Sequence, residues 1–116
     1  METAAIVLGL AALGGVTLAG IRLSGTPQPP TWMALGHGAI AVTGLVLLAN
    51  AVGSPSVPSL AQAAMWIFVL AALGGATLFL GFHLRGKALP IPLVIGHGLA
   101  AATGYLVLLV TLFRNP

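Results

Sequence analysis

Four long apolar segments follow one another along the chain, separated by short stretches with proline, glycine or charge. The segments cover about residues 4–21, 32–52, 60–82 and 91–113. Because a helix rises ~1.5 Å per residue, each segment can cross a hydrocarbon core of about 30 Å. The segments lack the alternation of apolar and polar residues that is typical of strands. The pattern predicts an all-α bundle of four transmembrane helices, forming a single integral membrane domain over residues 1–116.

An internal repeat relates the two halves of the chain. Gly36-His37-Gly38 recurs sixty residues later as Gly96-His97-Gly98. The same shift maps residues 10–18 onto residues 70–78 with one difference, and no gap is needed. We therefore interpret the chain as two tandem helical hairpins built on one pattern.

The two hairpins, about residues 4–52 and about residues 60–113, are expected to cross the membrane in the same sense. Each contains an even number of helices, which predicts a pseudo-two-fold axis along the membrane normal. The first apolar segment lacks the basic start of a signal peptide, and its counterpart lies in mid-chain, where no signal is cleaved. We expect it to be a mature transmembrane helix.

Charge is scarce and is confined to the ends of the segments. The chain has 116 residues, of which 59% are hydrophobic and 4% are charged, whereas a soluble domain has about a quarter charged residues. Four basic residues are too few for a nucleic-acid surface. Arg22, Arg85 and Lys87 flank the first and third connections, and Arg114 lies at the other face. The positive-inside rule then predicts that both termini are non-cytoplasmic, in what we expect to be a bacterial inner membrane.

Each hairpin places one histidine inside an apolar segment. His37 and His97 lie five or six residues into their helices, about 8 to 9 Å from the same face. Ionisable residues inside a membrane are costly and often functional. Small residues and hydroxyls of the neighbouring helices reach about the same depth: Gly14, Gly15, Thr17, Gly74, Gly75 and Thr77. This level suits a flat macrocycle held between two imidazoles.

A four-helix bundle with two histidines beside glycines resembles the small membrane b-type cytochromes. The resemblance covers the Gly-His-Gly units, the small residues below them and the number of helices. It implies one haem b per chain, with His37 and His97 as the metal ligands. Members with two haems usually place two histidines on one helix. This chain has one on each of two helices, which argues for a single haem.

Further side chains receive predicted roles around that cofactor. Thr17 and Thr77 are predicted to accept the remaining imidazole N–H, or else to bond the carbonyl four residues earlier in their own helix. Arg22, Arg85 and Lys87 are predicted to pair with haem propionates, or else to anchor the chain at lipid headgroups. The glycines also permit close helix packing when nothing is bound.

Three functions remain open from the sequence. The first is a membrane haem electron-transfer protein or redox-enzyme subunit, which exchanges electrons with a quinol or a partner enzyme. The second is a non-catalytic accessory subunit of a larger membrane complex, and a homodimer is a further predicted association. The third is a small proton-coupled transporter, in which His37 and His97 carry protons because Glu2 is the sole acid. A stand-alone hydrolase is not expected, since the chain has no Asp, no Cys and no Gly-x-Ser-x-Gly element.

Overall fold

The computed structural model describes residues 1–53 and 59–114, and these residues form four helices with short connections. The helices are α1 (Glu2–Leu23), α2 (Thr31–Val52), α3 (Ser59–Leu78), which continues as a π-helical turn (Phe79–His83), and α4 (Ile91–Arg114). All four are long and apolar enough to cross a membrane. The predicted number of spans is thus confirmed, with bounds that agree to within two residues. The turn predicted around Pro55 and Pro58 lies outside the described residues.

Backbone hydrogen bonding explains why these glycine-rich segments are helical. In hydrocarbon every N–H and C=O must be bonded within the segment, so a helix forms despite the low helix propensity of glycine. Two prolines precede α2 and α4, and their carbonyls accept from the first turns: Ala34 N–H to Pro30 at 3.2 Å, and Val94 N–H to Pro90 at 2.9 Å. The first and third connections each contain a glycine at positive φ, which glycine adopts without strain.

The helices form a slender bundle that is 45 Å long and about 20 Å across. The most extensive contacts join α1 to α2 and α3 to α4, within the two hairpins. The hairpins meet each other through α1 with α4 and α2 with α3. It follows that α2 and α4, the two helices that carry Gly-His-Gly, lie diagonally across the bundle.

The buried apolar core is divided into two clusters at different depths. The smaller cluster contains Leu78, Leu89 and Val94. The larger cluster contains Ala4, Ala5, Leu8, Leu48, Val52, Ala61, Ala64, Phe68 and Leu108. Along α4, Val94 precedes His97 and Leu108 follows it. The histidine level therefore lies between the two clusters.

Hydrogen bonds tie the first connection to the third at one end of the bundle. Gln28 Nε2 donates to the carbonyls of His83 and Lys87, at 3.1 and 2.8 Å. Arg22 Nε donates to the Leu89 carbonyl at 2.8 Å. We call this group, together with Thr31, the loop clasp. It joins the two hairpins outside their membrane-spanning contacts.

His83 is buried within the loop clasp, with only 7% of its surface exposed. Its Nε2 and the hydroxyl of Thr31 are 3.0 Å apart and hydrogen-bonded. Its ring stacks on Phe79 with ring centres 5.2 Å apart. The structure thus shows His83 as a packed ring with a hydrogen-bonded partner. The π-helical turn before it is a feature that often marks functional or strained sites.

Candidate functional site

His37 on α2 and His97 on α4 meet across the axis of the bundle. Their ring centres are 6.2 Å apart, and the ring planes are inclined by 86°. Both side chains are half-buried. The two rings thus come close although α2 and α4 lie diagonally in the bundle. The structure thus brings together the two residues that the sequence predicts to be ligands.

Each imidazole is fixed by a backbone carbonyl on the neighbouring helix of its own hairpin. Nδ1 of His37 donates to the Ala11 carbonyl at 2.8 Å, and Nδ1 of His97 donates to the Ala71 carbonyl at 2.7 Å. A carbonyl oxygen only accepts, so Nδ1 must be the protonated nitrogen. A neutral ring then keeps its free lone pair on Nε2. Both rings are therefore oriented and prepared to act as ligands through Nε2.

The Gly14-Gly15 pair explains how the imidazole reaches the carbonyl of Ala11. In an α-helix, the side chains three and four residues after a carbonyl lie over it. Glycine at both positions leaves that carbonyl uncovered. A Cβ on Gly15 would lie 3.0 Å from Cε1 of His37. A Cβ on Gly75 would likewise lie 3.0 Å from Cε1 of His97. The sequence analysis did not predict Ala11 and Ala71 as acceptors. The feature that indicates them is the glycine pair three and four residues later, which leaves their carbonyls accessible.

Gly15→Ala is expected to displace the His37 ring and to weaken its bond to the Ala11 carbonyl. A Cβ contact of 3.0 Å is too tight, so the ring must shift by a few tenths of an ångström. The expected loss is about 0.5–1.5 kcal/mol of stability, the usual net worth of one hydrogen bond. Histidine-selective ¹⁵N NMR measures the change directly at the Nδ1–H resonance.

Gly38→Ala provides the control for this variant. A Cβ on Gly38 meets no atom within 4 Å, so the histidine resonances are expected to keep their positions. If Gly15→Ala also leaves the Nδ1–H resonance unchanged, the glycine pair does not control the ring position.

The distance between the two rings suits a single metal ion placed between them. A metal bonded to an imidazole nitrogen at about 2.0–2.1 Å lies about 3 Å from the ring centre, so one shared ion holds two ring centres about 6 Å apart. The observed separation is 6.2 Å. Within residues 1–53 and 59–114, no group of three or more His, Cys, Asp or Glu side chains could hold a metal ion. Additional ligands to such an ion would have to come from a bound molecule.

The hydroxyls of Thr17 and Thr77 do not contact the imidazoles. They donate to the carbonyls of Leu13 and Leu73, at 2.9 and 2.8 Å, each four residues earlier in the same helix. The prediction that they accept the imidazole N–H is wrong, and the alternative is confirmed. A helical hydroxyl always has that carbonyl within reach, and the uncovered alanine carbonyls serve the rings instead.

The predicted cationic residues lie at the loop-clasp end, which is the end nearer to the histidines. Arg22 is half-buried and uses Nε to hold the third connection. Arg85 and Lys87 are exposed on that connection. Arg22 thus has a structural role that the sequence did not indicate, while the side chains of Arg85 and Lys87 point to the surroundings.

Comparison of the chain with protein-family models, with curated proteins and with solved structures found no match. The function is therefore inferred from the imidazole pair and the residues that position it.

Proposed function

We propose that this chain is a membrane electron-transfer protein that holds one haem b between His37 and His97. The observation that carries the proposal is the pair of oriented imidazoles, 6.2 Å apart across the bundle axis. A haem needs only two axial ligands from the protein, because the macrocycle supplies the other four nitrogens. The two histidines meet that need without a third ligating side chain. When bound, the haem supplies a one-electron redox couple.

The chain's own residues orient the ligands and keep water away. The bonds to the Ala11 and Ala71 carbonyls fix the directions of the two rings. Ala41 and Ala101, one turn further along α2 and α4, are small and half-buried. The surrounding hydrocarbon and small side chains provide the low-dielectric environment that tunes a haem potential.

The basic residues and the overall symmetry belong to the same proposal. Arg22, Arg85 and Lys87 lie at the end nearer to the histidines and are proposed to pair with the haem propionates.

The two hairpins are proposed to be related by a pseudo-two-fold axis along the membrane normal. Equal hydrogen bonds and equal glycine contacts at positions sixty residues apart support that relation.

Electrons are proposed to pass between a quinol or a partner enzyme and an acceptor. The distribution of basic residues favours an orientation with both termini outside the cytoplasm, and the membrane is proposed to be a bacterial inner membrane. The accessory-subunit, homodimer and proton-coupled transporter alternatives stay predictions, and the absorption spectrum of the purified protein separates the haem proposal from them.

The protein purified in detergent from a haem-producing host is expected to show a Soret band. A reduced-minus-oxidised difference spectrum is expected to show a sharp α-band, because two imidazole ligands give low-spin iron. Haem and protein assays are expected to give one haem per chain. A preparation that shows no Soret band, and that takes up no haem when haemin is added, would rule out the proposal.

A further inference from the structure

A groove runs between α3 and α4 and ends on His97. Its volume is about 280 Å³. Leu73, Gly74 and Thr77 line it from α3, and Gly96, His97 and Ala100 line it from α4. Leu73 is 62% exposed, and in a membrane-spanning bundle such a surface faces the lipid. The groove therefore opens from the hydrocarbon onto one of the two proposed haem ligands.

The first hairpin differs from the second at this place. The positions that correspond to Leu73, Gly74, Thr77, Gly96 and His97 carry the same residue types sixty residues earlier. Ile40, however, occupies the position that corresponds to Ala100, and Met33 the position of Leu93, which also lines the groove. An isoleucine has three more carbon atoms than an alanine, and at position 100 they would extend into the groove. The space beside His97 thus depends on a small residue that the first hairpin lacks.

We propose that this groove binds the ring of a lipid-soluble quinone or quinol, and this inference rests on the proposed function. A ligand that enters here must come from the hydrocarbon and must match apolar walls, as a quinone with a long tail does. Its volume lies near the lower end of the range for small-molecule sites, about 300–1,000 Å³. A single substituted ring fits this volume better than a macrocycle does, and the groove shares Gly74, Thr77 and His97 with the surroundings of the proposed haem.

The end of the groove favours a quinone over a lipid acyl chain. Gly74 and Gly96 have no side chains, so a flat ring can lie against the backbone beside His97. An acyl chain makes no use of a flat surface. Contact with His97 also places the ring next to a proposed iron ligand, the arrangement that electron exchange requires.

Photolabelling tests the groove without measuring activity. The full chain in phosphatidylcholine vesicles is irradiated with an azido-benzoquinone that carries a ten-carbon tail, and the labelled residues are mapped by mass spectrometry. Labels are expected in the α3 and α4 segments that line the groove, and an excess of unlabelled decyl-benzoquinone is expected to prevent them. Ala100→Ile is expected to reduce labelling at least about tenfold, since added methylenes occupy an apolar site.

Ile40→Ala in the first hairpin is the matched control and is expected to leave labelling of α3 and α4 unchanged. Gly96→Val is a second blocking variant, because a Cβ on Gly96 meets no atom within 4 Å and the fold should tolerate it. Labelling that is spread along all four helices, is not prevented by the unlabelled quinone and persists in both blocking variants overturns the proposal. That result indicates that acyl chains fill the groove.

The haem spectrum of the same preparations separates the two proposals. Site-specific labelling in a protein without haem would reject the haem function and keep the groove. If the protein contains one haem per chain but shows the dispersed labelling described above, the proposal of quinone binding in the groove is rejected and the haem function is retained.

Discussion

His97→Ala, and equally His37→Ala, is expected to yield a folded protein without haem. The remaining imidazole leaves one axial position of the iron open, and the haem is held by one protein bond fewer. Loss of even an outer partner of a metal ligand typically weakens binding 10- to 100-fold, so loss of the ligand itself is expected to lower the haem content at least about tenfold. Neither ring belongs to a buried apolar cluster, so helical content measured by circular dichroism is expected to persist.

His83→Ala is the control, because it removes the third histidine of the chain from the loop clasp. This variant is expected to keep its haem. Imidazole added to His97→Gly is expected to restore a low-spin spectrum by filling the vacated position. A normal haem content in both His37→Ala and His97→Ala would show that these residues do not hold the cofactor.

Gly44→Ala is expected to destabilise the bundle by about 1–3 kcal/mol, the usual cost of overpacking. A Cβ on Gly44 would lie 2.7 Å from Cγ of Leu8 and 3.3 Å from the Leu8 backbone nitrogen. The side chain of Leu8 is buried in the larger apolar cluster, so it has little room to move away, and the backbone has none. Unfolding by SDS in mixed micelles measures the change in the free energy of unfolding.

Two other glycines provide graded controls for this prediction. Gly38→Ala, on the same helix, meets no atom within 4 Å and is expected to cause no loss of stability. Gly104→Ala would approach Cγ2 of Ile67 at 3.2 Å and Phe68 at 3.4 Å, and is expected to cost less than Gly44→Ala. If all three variants unfold at the same SDS fraction, close contact at Gly44 does not limit the approach of α1 and α2.

The number, type and bounds of the helices could be predicted from hydropathy because few backbone conformations are tolerated in hydrocarbon. A segment with unbonded backbone groups is not tolerated in hydrocarbon, so about twenty apolar residues define a helix. The common level of His37 and His97 along the bundle could be predicted for the same reason, since a fixed rise per residue converts position in the sequence into distance along a helix. These quantities depend only on local sequence.

The lateral arrangement was not accessible, because it depends on contacts between distant residues. The sequence allowed α2 and α4 to be neighbours or to lie diagonally. The contact of Gly44 with Leu8 joins α1 to α2, and the contact of Gly104 with Phe68 joins α3 to α4. To predict either contact, one must know which small residue packs against which large residue. The pairing within each hairpin places the two histidine helices on opposite corners of the bundle.

The partners of the imidazoles show a different limit. Reasoning from residue types pointed to the hydroxyls of Thr17 and Thr77, whereas the acceptors are main-chain carbonyls. Every residue has a backbone carbonyl, so the sequence does not show which carbonyl accepts a hydrogen bond. Only the glycines that leave a carbonyl accessible indicate it. The contact of His83 with Thr31 could not be predicted because His83 ends a π-helical turn, which changes the direction in which its side chain points.

The loop clasp affects which hairpins can associate with each other. Gln28 donates to the main-chain carbonyls of residues 83 and 87, whereas the hydroxyl of Thr31 bonds the ring of His83. Two copies of the first hairpin would keep the imidazole–carbonyl bonds, but Leu23 would replace His83. The contact between Thr31 and His83 therefore favours the union of unlike hairpins over the pairing of like hairpins from two molecules. Selectivity of assembly is thus located at the membrane surface, away from the residues proposed to bind the cofactor.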